Sequence, residues 1–213
     1  MRNTWIRRIS AIRKDGVESA INLTCGLNCI IGASNTGKTR IAKTVEFACG
    51  GKELPFTDKT AYEIAQVTFV TNGGEVSLSR SIHVQNTIHV KSSNPMIVPG
   101  SYSVSSRAGK SINTVLLALL GVESTRRIAT NETYHTVAFT WNAIRHLMIV
   151  PEDQIGRARP SILFPKSTSL ATLTQSLSSL LVLVQDEKID NSIQTESASE
   201  RHARRTVHPS AVG

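Results

Sequence analysis

The amino-acid sequence predicts an α/β protein, and three features of the chain support this prediction. A glycine-rich segment separates a short apolar run from a segment with helical periodicity. Apolar and polar residues alternate over much of residues 62–91, and residues 111–121 again show helical periodicity. The chain has 213 residues, of which 40% are hydrophobic, so it can bury one sizeable core.

The glycine-rich segment, residues 32–39, fits the pattern G-x-x-x-x-G-K-[ST], which is informative only between a strand and a helix. Residues 27–31 before it are largely apolar and partly β-branched, which predicts a buried parallel strand. Residues 41–49 after it repeat at helical spacing and are followed by Gly50 and Gly51, which predicts a helix that ends there. Both flanks therefore predict a P-loop, a loop whose backbone binds phosphate.

The residue types of this P-loop suit a nucleoside triphosphate. Phosphate binds to backbone N–H groups at a helix N-terminus, and Gly32 and Gly37 permit the close approach and the unusual dihedral angles that this requires. We expect Lys38 to contact the β and γ phosphates and the Thr39 hydroxyl to complete the coordination of Mg²⁺. The predicted nucleotide-binding residues of the loop are Gly32, Ala33, Ser34, Asn35, Thr36, Gly37, Lys38, Thr39 and Arg40.

The chain around the P-loop resembles the N-terminus of the SMC-like ATPases, the ABC-type family that includes the SMC proteins, the SbcC exonuclease subunit and RecN. Their opening typically reads as a strand, a basic turn, a second strand, then Gly-Leu-Asn, two hydrophobic residues and the P-loop. The resemblance is strong over residues 5–51 and weaker to about residue 165. The matching residues are Ile6, Arg13, Gly16, Ile21, Gly26, Leu27, Asn28, Ile30, Ile31 and Gly32.

This resemblance implies a fold, a ligand and two further site residues. The fold is the N-terminal half of an ABC/SMC-type P-loop NTPase head with an antiparallel β meander beside the P-loop core, and the ligand is ATP with Mg²⁺. Arg13 in the basic turn is expected to stack on adenine. Gln154 matches the Q-loop glutamine that helps hold Mg²⁺ and the attacking water, with Glu152 as the alternative oxygen ligand. Lys38 and Gln154 are thus the predicted catalytic residues, and Thr39 and Gln154 the predicted metal ligands.

The alternating segment predicts the β meander itself. Residues 62–82 are expected to form a hairpin with a tight turn at Asn72 and Gly73, and residues 87–91 a further strand. Arg80 lies on the apolar face of its strand, where it is expected either to reach the nucleotide or to extend its charged end to solvent.

The chain after the meander predicts a loop, a helix and a strand. Residues 92–110 are rich in Ser, Pro and Gly and are expected to form the loop. Ser111 suits the N-cap of a helix that ends at Gly121. Residues 147–150 form an apolar run that predicts a central strand, and the chain beyond about residue 191 is expected to be disordered.

Charge and composition narrow the class of partner. Lys and Arg total 24 against 16 acidic residues, for a formal net charge of +8, which favours an anionic partner such as nucleotide or DNA. No apolar run approaches the roughly 18 residues of a membrane span and the start lacks a secretory signal, so we expect no membrane partner and a cytoplasmic location. Cys25, Cys29 and Cys49 are expected to be small buried apolar residues.

A complete SMC-like head also has a signature motif, a Walker B strand and a coiled coil, and the sequence lacks convincing counterparts. Residues 180–187 approximate a Walker B strand, but Gln185 displaces the aspartate. We therefore expect an N-terminal lobe at residues 1–165 and a poorly structured basic tail at residues 166–213. Such a lobe is expected to bind MgATP and to hydrolyse it poorly on its own. A complementary C-terminal lobe or a homodimer partner would complete the head. Hydrolysis by the complete head is expected to be coupled to DNA repair or chromosome maintenance.

Two other functions remain open from the sequence. One is a different P-loop enzyme, such as a small-molecule kinase with Arg157 and Arg159 in a lid. The other is a non-hydrolysing interaction module that dimerises on ATP. A GTPase is disfavoured because no N-K-x-D motif occurs in the chain.

Overall fold

A computed structural model of the chain describes residues 4–33, 36–57, 60–105, 108–122, 127–129 and 136–150. The fold is mixed α/β and is built on a six-stranded antiparallel sheet with the strand order β2-β1-β3-β4-β5-β6. Two short strands, β7 and β8, pair separately. The elements are β1 (Trp5–Arg13), β2 (Glu18–Asn22), α1 (Lys38–Ala48), β3 (Tyr62–Thr71), β4 (Gly74–Ser81), β5 (Thr87–Ser92), β6 (Gly100–Ser103), α2 (Ile112–Leu119), β7 (Arg127–Ala129), β8 (Thr136–Ala138) and α3 (Trp141–Met148).

The predicted meander is confirmed. Strands β3 and β4 form the expected hairpin around the turn at Asn72 and Gly73, and β5 pairs with β4. Val67 lies opposite Leu78 in the hairpin, and both side chains are fully buried. Because side chains of a strand alternate between the two faces, the sheet has one apolar face, while the serines of β4 lie on the other.

The core lies between this apolar face and the helices α1 and α2. Helix α1 packs against β1, β3 and β4 through Phe47 and Ala48, which have no exposed surface. Helix α2 covers the other half of the sheet, and Leu116 belongs to the same buried cluster as Leu78 and Ile88. Burial of this apolar surface is the main contribution to the stability of the fold.

The predicted N-cap of α2 is confirmed. The Ser111 side chain accepts a hydrogen bond from the backbone N–H of Asn113, which satisfies one of the free donors of the first turn. Helix α2 ends before Gly121, whose φ of 77° lies in the left-handed region.

Two predictions about the later chain are wrong. The segment 92–110, predicted as a loop, contains the strand β6. Only Tyr102 of this strand is buried, so the strand lacks the apolar alternation that would have indicated it. The predicted central strand at residues 147–150 overlaps α3 instead. Trp141, Ile144 and Met148 recur at helical spacing, and Ile144 is buried against α2, so the apolar run belongs to a longer helical pattern. None of the helices within the described residues has the length and apolar character that a membrane span requires.

Candidate functional site

The chain enters the P-loop through a tight turn that the side chain of Asn28 holds. The Asn28 amide donates to the carbonyl groups of Thr24 and Gly26 at 2.8 and 3.1 Å, and its oxygen accepts from the backbone N–H of Thr24 at 3.0 Å. Gly26 in the turn has a φ of 100°, which an L-residue adopts only with strain. The Gly-Leu-Asn sequence therefore acts as a turn whose glycine and asparagine each have a structural role.

The segment between this turn and the P-loop does not form the predicted buried strand. Residues 27–31 have no strand pairing in the structure. The side chains of Leu27 and Ile31 are 98% and 89% exposed, and Ile30 is 42% exposed. A buried parallel strand needs neighbours on both sides, and the described residues supply none here. Within the part of the chain that the structure describes, the apolar side chains of this segment are thus largely unburied.

The helix after the glycine-rich segment begins where the sequence predicts. Helix α1 begins at Lys38, and Gly37 at its N-cap has a φ of 91°, so the glycine is required by the backbone. No side chain caps this helix N-terminus and no acidic residue lies in its first turn. The positive end of the helix dipole therefore faces the loop without a compensating carboxylate.

The ammonium group of Lys38 lies within the loop. It donates hydrogen bonds to the carbonyl oxygens of Gly32, at 2.7 Å, and of Ala33. The Thr36 hydroxyl closes the same loop by donating to the Ala33 carbonyl at 2.8 Å. Among the described residues Lys38 has no carboxylate partner, so its charge and the helix dipole point at the same small region. This arrangement suits an anion.

Gly32 permits the close packing of the loop. A methyl group at this position would lie 3.0 Å from the Thr36 hydroxyl oxygen, closer than ordinary contacts allow. Thr39 and Arg40 are exposed in the first turn of α1, where the hydroxyl of Thr39 is free to contact a metal ion. The predicted loop residues Ser34 and Asn35 lie outside the described residues.

Arg13 lies at the end of β1 and pairs with the turn that follows this strand. Arg13 ends β1 opposite Tyr62 and forms an ion pair of 3.3 Å with Asp15 in the turn that follows. Tyr62 packs in one cluster with Phe47, which belongs to the last turn of α1, whereas the P-loop precedes the first turn. The assignment of Arg13 to adenine stays a prediction.

Gln154 and Glu152 lie outside the described residues, so the predicted Q-loop has no structural description. Within the described part of the chain, no three His, Cys, Asp or Glu side chains converge as ligands of a metal ion. The only predicted metal ligand with a position is therefore Thr39. A Mg²⁺ ion at this site would depend chiefly on phosphate oxygens, as is usual for this ion.

Arg80 has a role that the sequence did not indicate, because neither predicted position, at the nucleotide or in solvent, is observed. Its side chain is only 3% exposed. The guanidinium donates to the carbonyl oxygens of Phe47 and Gly51 at the C-terminal end of α1, both at 2.6 Å, and to the Gln85 carbonyl at 2.8 Å. It also lies 4.0 Å from the ring centre of Phe47. Arg80 thus joins the P-loop helix to the meander by capping the negative end of the helix.

Two of the three cysteines differ from their predicted environment. Cys49 is buried, as expected, and burial raises the pKa of its thiol to about 12. Cys25 and Cys29 are exposed, because they belong to the turn and to the unpaired segment before the P-loop. The prediction of burial is wrong for these two residues.

A cavity of about 570 Å³ lies near the start of β1, on the polar side of the sheet. Its charged groups are already paired: Arg7 with Glu75, and Arg8 with Glu18, where the hydrogen bond with Arg8 is the main cause of the lowered pKa of Glu18. The cavity therefore offers an incoming anion no unpaired cation, in contrast to the P-loop.

A comparison of the chain with protein-family models and with curated protein sequences finds no match.

Proposed function

We propose that this chain is a nucleotide-binding lobe that binds ATP with Mg²⁺ at the P-loop. The single observation that carries this proposal is the position of the Lys38 ammonium group beside an uncapped helix N-terminus, where the described residues place no carboxylate. Two positive groups that face one small loop stabilise a bound polyphosphate. Lys38 would neutralise phosphate charge, the first-turn N–H groups would orient the phosphates, and Mg²⁺ bound near Thr39 would shield the remaining charge.

We further propose that hydrolysis requires a second lobe, as in the SMC-like ATPases that the sequence resembles. The exposed segment at residues 27–31 supports this, because its side chains are those of a strand buried on both faces. A complementary lobe would supply neighbouring strands here and the general base that the described residues lack near Lys38. The net charge of +8 supports work on DNA by the completed assembly.

Nucleotide binding is tested by titrating the purified protein with a fluorescent ATP analogue and Mg²⁺. We expect saturable binding that Lys38→Met weakens by roughly 10- to 100-fold, since a hydrogen bond to a charged group is worth about 1.5–3 kcal/mol. Lys43→Met is the matched control, because Lys43 lies on the same helix and pairs with Glu53 on the surface. Equal binding by Lys38→Met and wild type would overturn the proposal.

Turnover and base preference are measured in the same samples. We expect very little released phosphate from the chain alone, and competition by unlabelled ATP stronger than by GTP. Rapid turnover by the isolated chain would contradict the requirement for a second lobe. Transfer of phosphate to an added small-molecule acceptor would instead identify a kinase.

A second candidate function is a nucleotide-dependent interaction module, and the exposure of Leu27 and Ile31 favours it. An apolar surface this close to a phosphate site would link nucleotide binding to association with another protein. Sedimentation with and without ATP and Mg²⁺ separates the candidates. The module predicts ATP-dependent self-association without turnover, whereas the ATPase lobe predicts turnover once a complementary chain or DNA is added.

A further inference from the structure

Cys25 lies within the turn that leads into the P-loop and Cys29 directly after it, and both are exposed. The Asn28 side chain binds the backbone of Thr24 through both a donor and an acceptor, so residues 24 and 28 are held close together. Each cysteine follows one of these two anchored residues directly. A fully extended chain would separate residues four positions apart by about 13 Å, and the turn prevents that extension.

We propose that Cys25 and Cys29 are a dithiol modification site, which small-molecule disulfides such as glutathione disulfide oxidise to an intramolecular disulfide. The thiolate of one cysteine attacks a sulfur of the small disulfide and releases one small thiol. The other cysteine thiolate then attacks the resulting mixed disulfide and releases the second. The protein loses two protons and two electrons, and the small disulfide gains them to become two thiols.

The turn contains the flexibility that ring closure needs. A disulfide requires Cα atoms roughly 4.4–6.8 Å apart. Gly26 lies between the cysteines and already has a φ of 100°, so small backbone rotations there cost little. Cys49 differs in both respects, because it is buried in the core and its thiol has a strongly raised pKa.

The disulfide has a consequence for the second lobe, and this part of the inference rests on the proposed function. Residues of a strand that are four positions apart lie about 13 Å apart, which is nearly twice the span that a disulfide permits. In the reduced protein only the hydrogen bonds of Asn28 keep this turn closed, and a docking partner can exchange them for strand pairing. A disulfide keeps residues 25–29 folded, so oxidation would oppose a docking mode that extends them, and a reductant would restore it.

The site is tested without nucleotide, so its failure is distinct from failure of the proposed function. The full chain is incubated with glutathione disulfide, unfolded, treated with an alkylating reagent and weighed by mass spectrometry. We expect a protein lighter by two hydrogen atoms with a single alkylated residue, Cys49, and full reversal by dithiothreitol. Cys49→Ser should form the same bridge.

Single variants and competing products make the test decisive. Cys25→Ser and Cys29→Ser should each stop at one stable mixed disulfide with glutathione. Glutathione on both cysteines of the wild type, a disulfide-linked dimer, or no reaction of the native chain would each overturn the proposal.

Discussion

Helix α1 and the segment at residues 27–31 stand on either side of the P-loop, and they differ in how completely they are packed. Phe47 and Ala48 of α1 are fully buried, whereas Leu27 and Ile31 are almost fully exposed. Both segments carry apolar side chains, but the described chain supplies a sheet for the helix and no neighbouring strand for the segment. Apolar composition therefore indicates where burial would stabilise the fold, whereas the neighbouring strands and helices determine whether burial is achieved.

The sharpest test of this comparison is a pair of identical substitutions. Leu78→Ala removes a fully buried side chain, so we expect it to lower the free energy of unfolding by about 2–5 kcal/mol. Leu27→Ala removes a side chain that contacts almost nothing, and its effect should stay within about 0.5 kcal/mol. Urea denaturation measures both. A large loss in Leu27→Ala would mean that the segment is buried in solution.

The second prediction concerns the link between α1 and the meander. Arg80→Met removes the guanidinium that donates to the carbonyl groups of Phe47, Gly51 and Gln85, and we expect a loss of about 2–4 kcal/mol. Lys91→Met, on the exposed side of the neighbouring strand, is the control and should cost less than about 0.5 kcal/mol. Similar midpoints for the two variants in urea would show that the Arg80 contacts contribute little.

The third prediction concerns the junction between the two regions. Gly37→Ala forces an alanine into a left-handed conformation, so we expect a loss of roughly 1–2 kcal/mol together with weaker nucleotide binding. Gly109→Ala is the matched control, because Gly109 has no positive φ and a methyl group there would contact nothing. Thermal unfolding and the ATP titration check both effects. Unchanged stability in Gly37→Ala would mean that the loop adopts another conformation.

The smallest expected effect concerns the turn before the unpaired segment. Asn28→Ala removes the hydrogen bonds that hold Thr24 and Gly26, and because the turn is exposed we expect a loss of only about 0.5–1.5 kcal/mol. Hydrogen exchange should rise at the Thr24 amide and stay unchanged in β4. Equal protection in variant and wild type would show that the backbone alone fixes the turn.

Local patterns predicted the parts of the fold whose partners are nearby in sequence. The hairpin of β3 and β4 follows from alternation and a tight turn, and α2 follows from periodicity and the cap at Ser111. The P-loop helix begins at Lys38, within the predicted motif, for the same reason. In each case the signal and the structure that it indicates lie within about twenty residues.

Contacts between distant residues were not predictable in this way. Arg80 binds carbonyl groups of Phe47 and Gly51, which are distant in sequence, and its place on the apolar face of its strand does not indicate these partners. Burial of Cys25 and Cys29 was expected from residue type, but their environment depends on strands that the described chain does not contain. The helix α3 was missed because an apolar run of four residues is compatible with either a strand or a helix.

The strand order of the sheet also constrains the order in which the chain folds. Within the six-stranded sheet, every neighbouring pair is also consecutive along the chain except β1 and β3, and the P-loop and α1 lie in the connection between these two. The hairpins need only short loops to close, whereas joining β1 to β3 closes a long one, which is entropically costly and slow. We therefore expect the P-loop to gain its native geometry late in folding, after β3 has met β1. During synthesis the proposed nucleotide site would mature only once the ribosome has released the first strand of the meander.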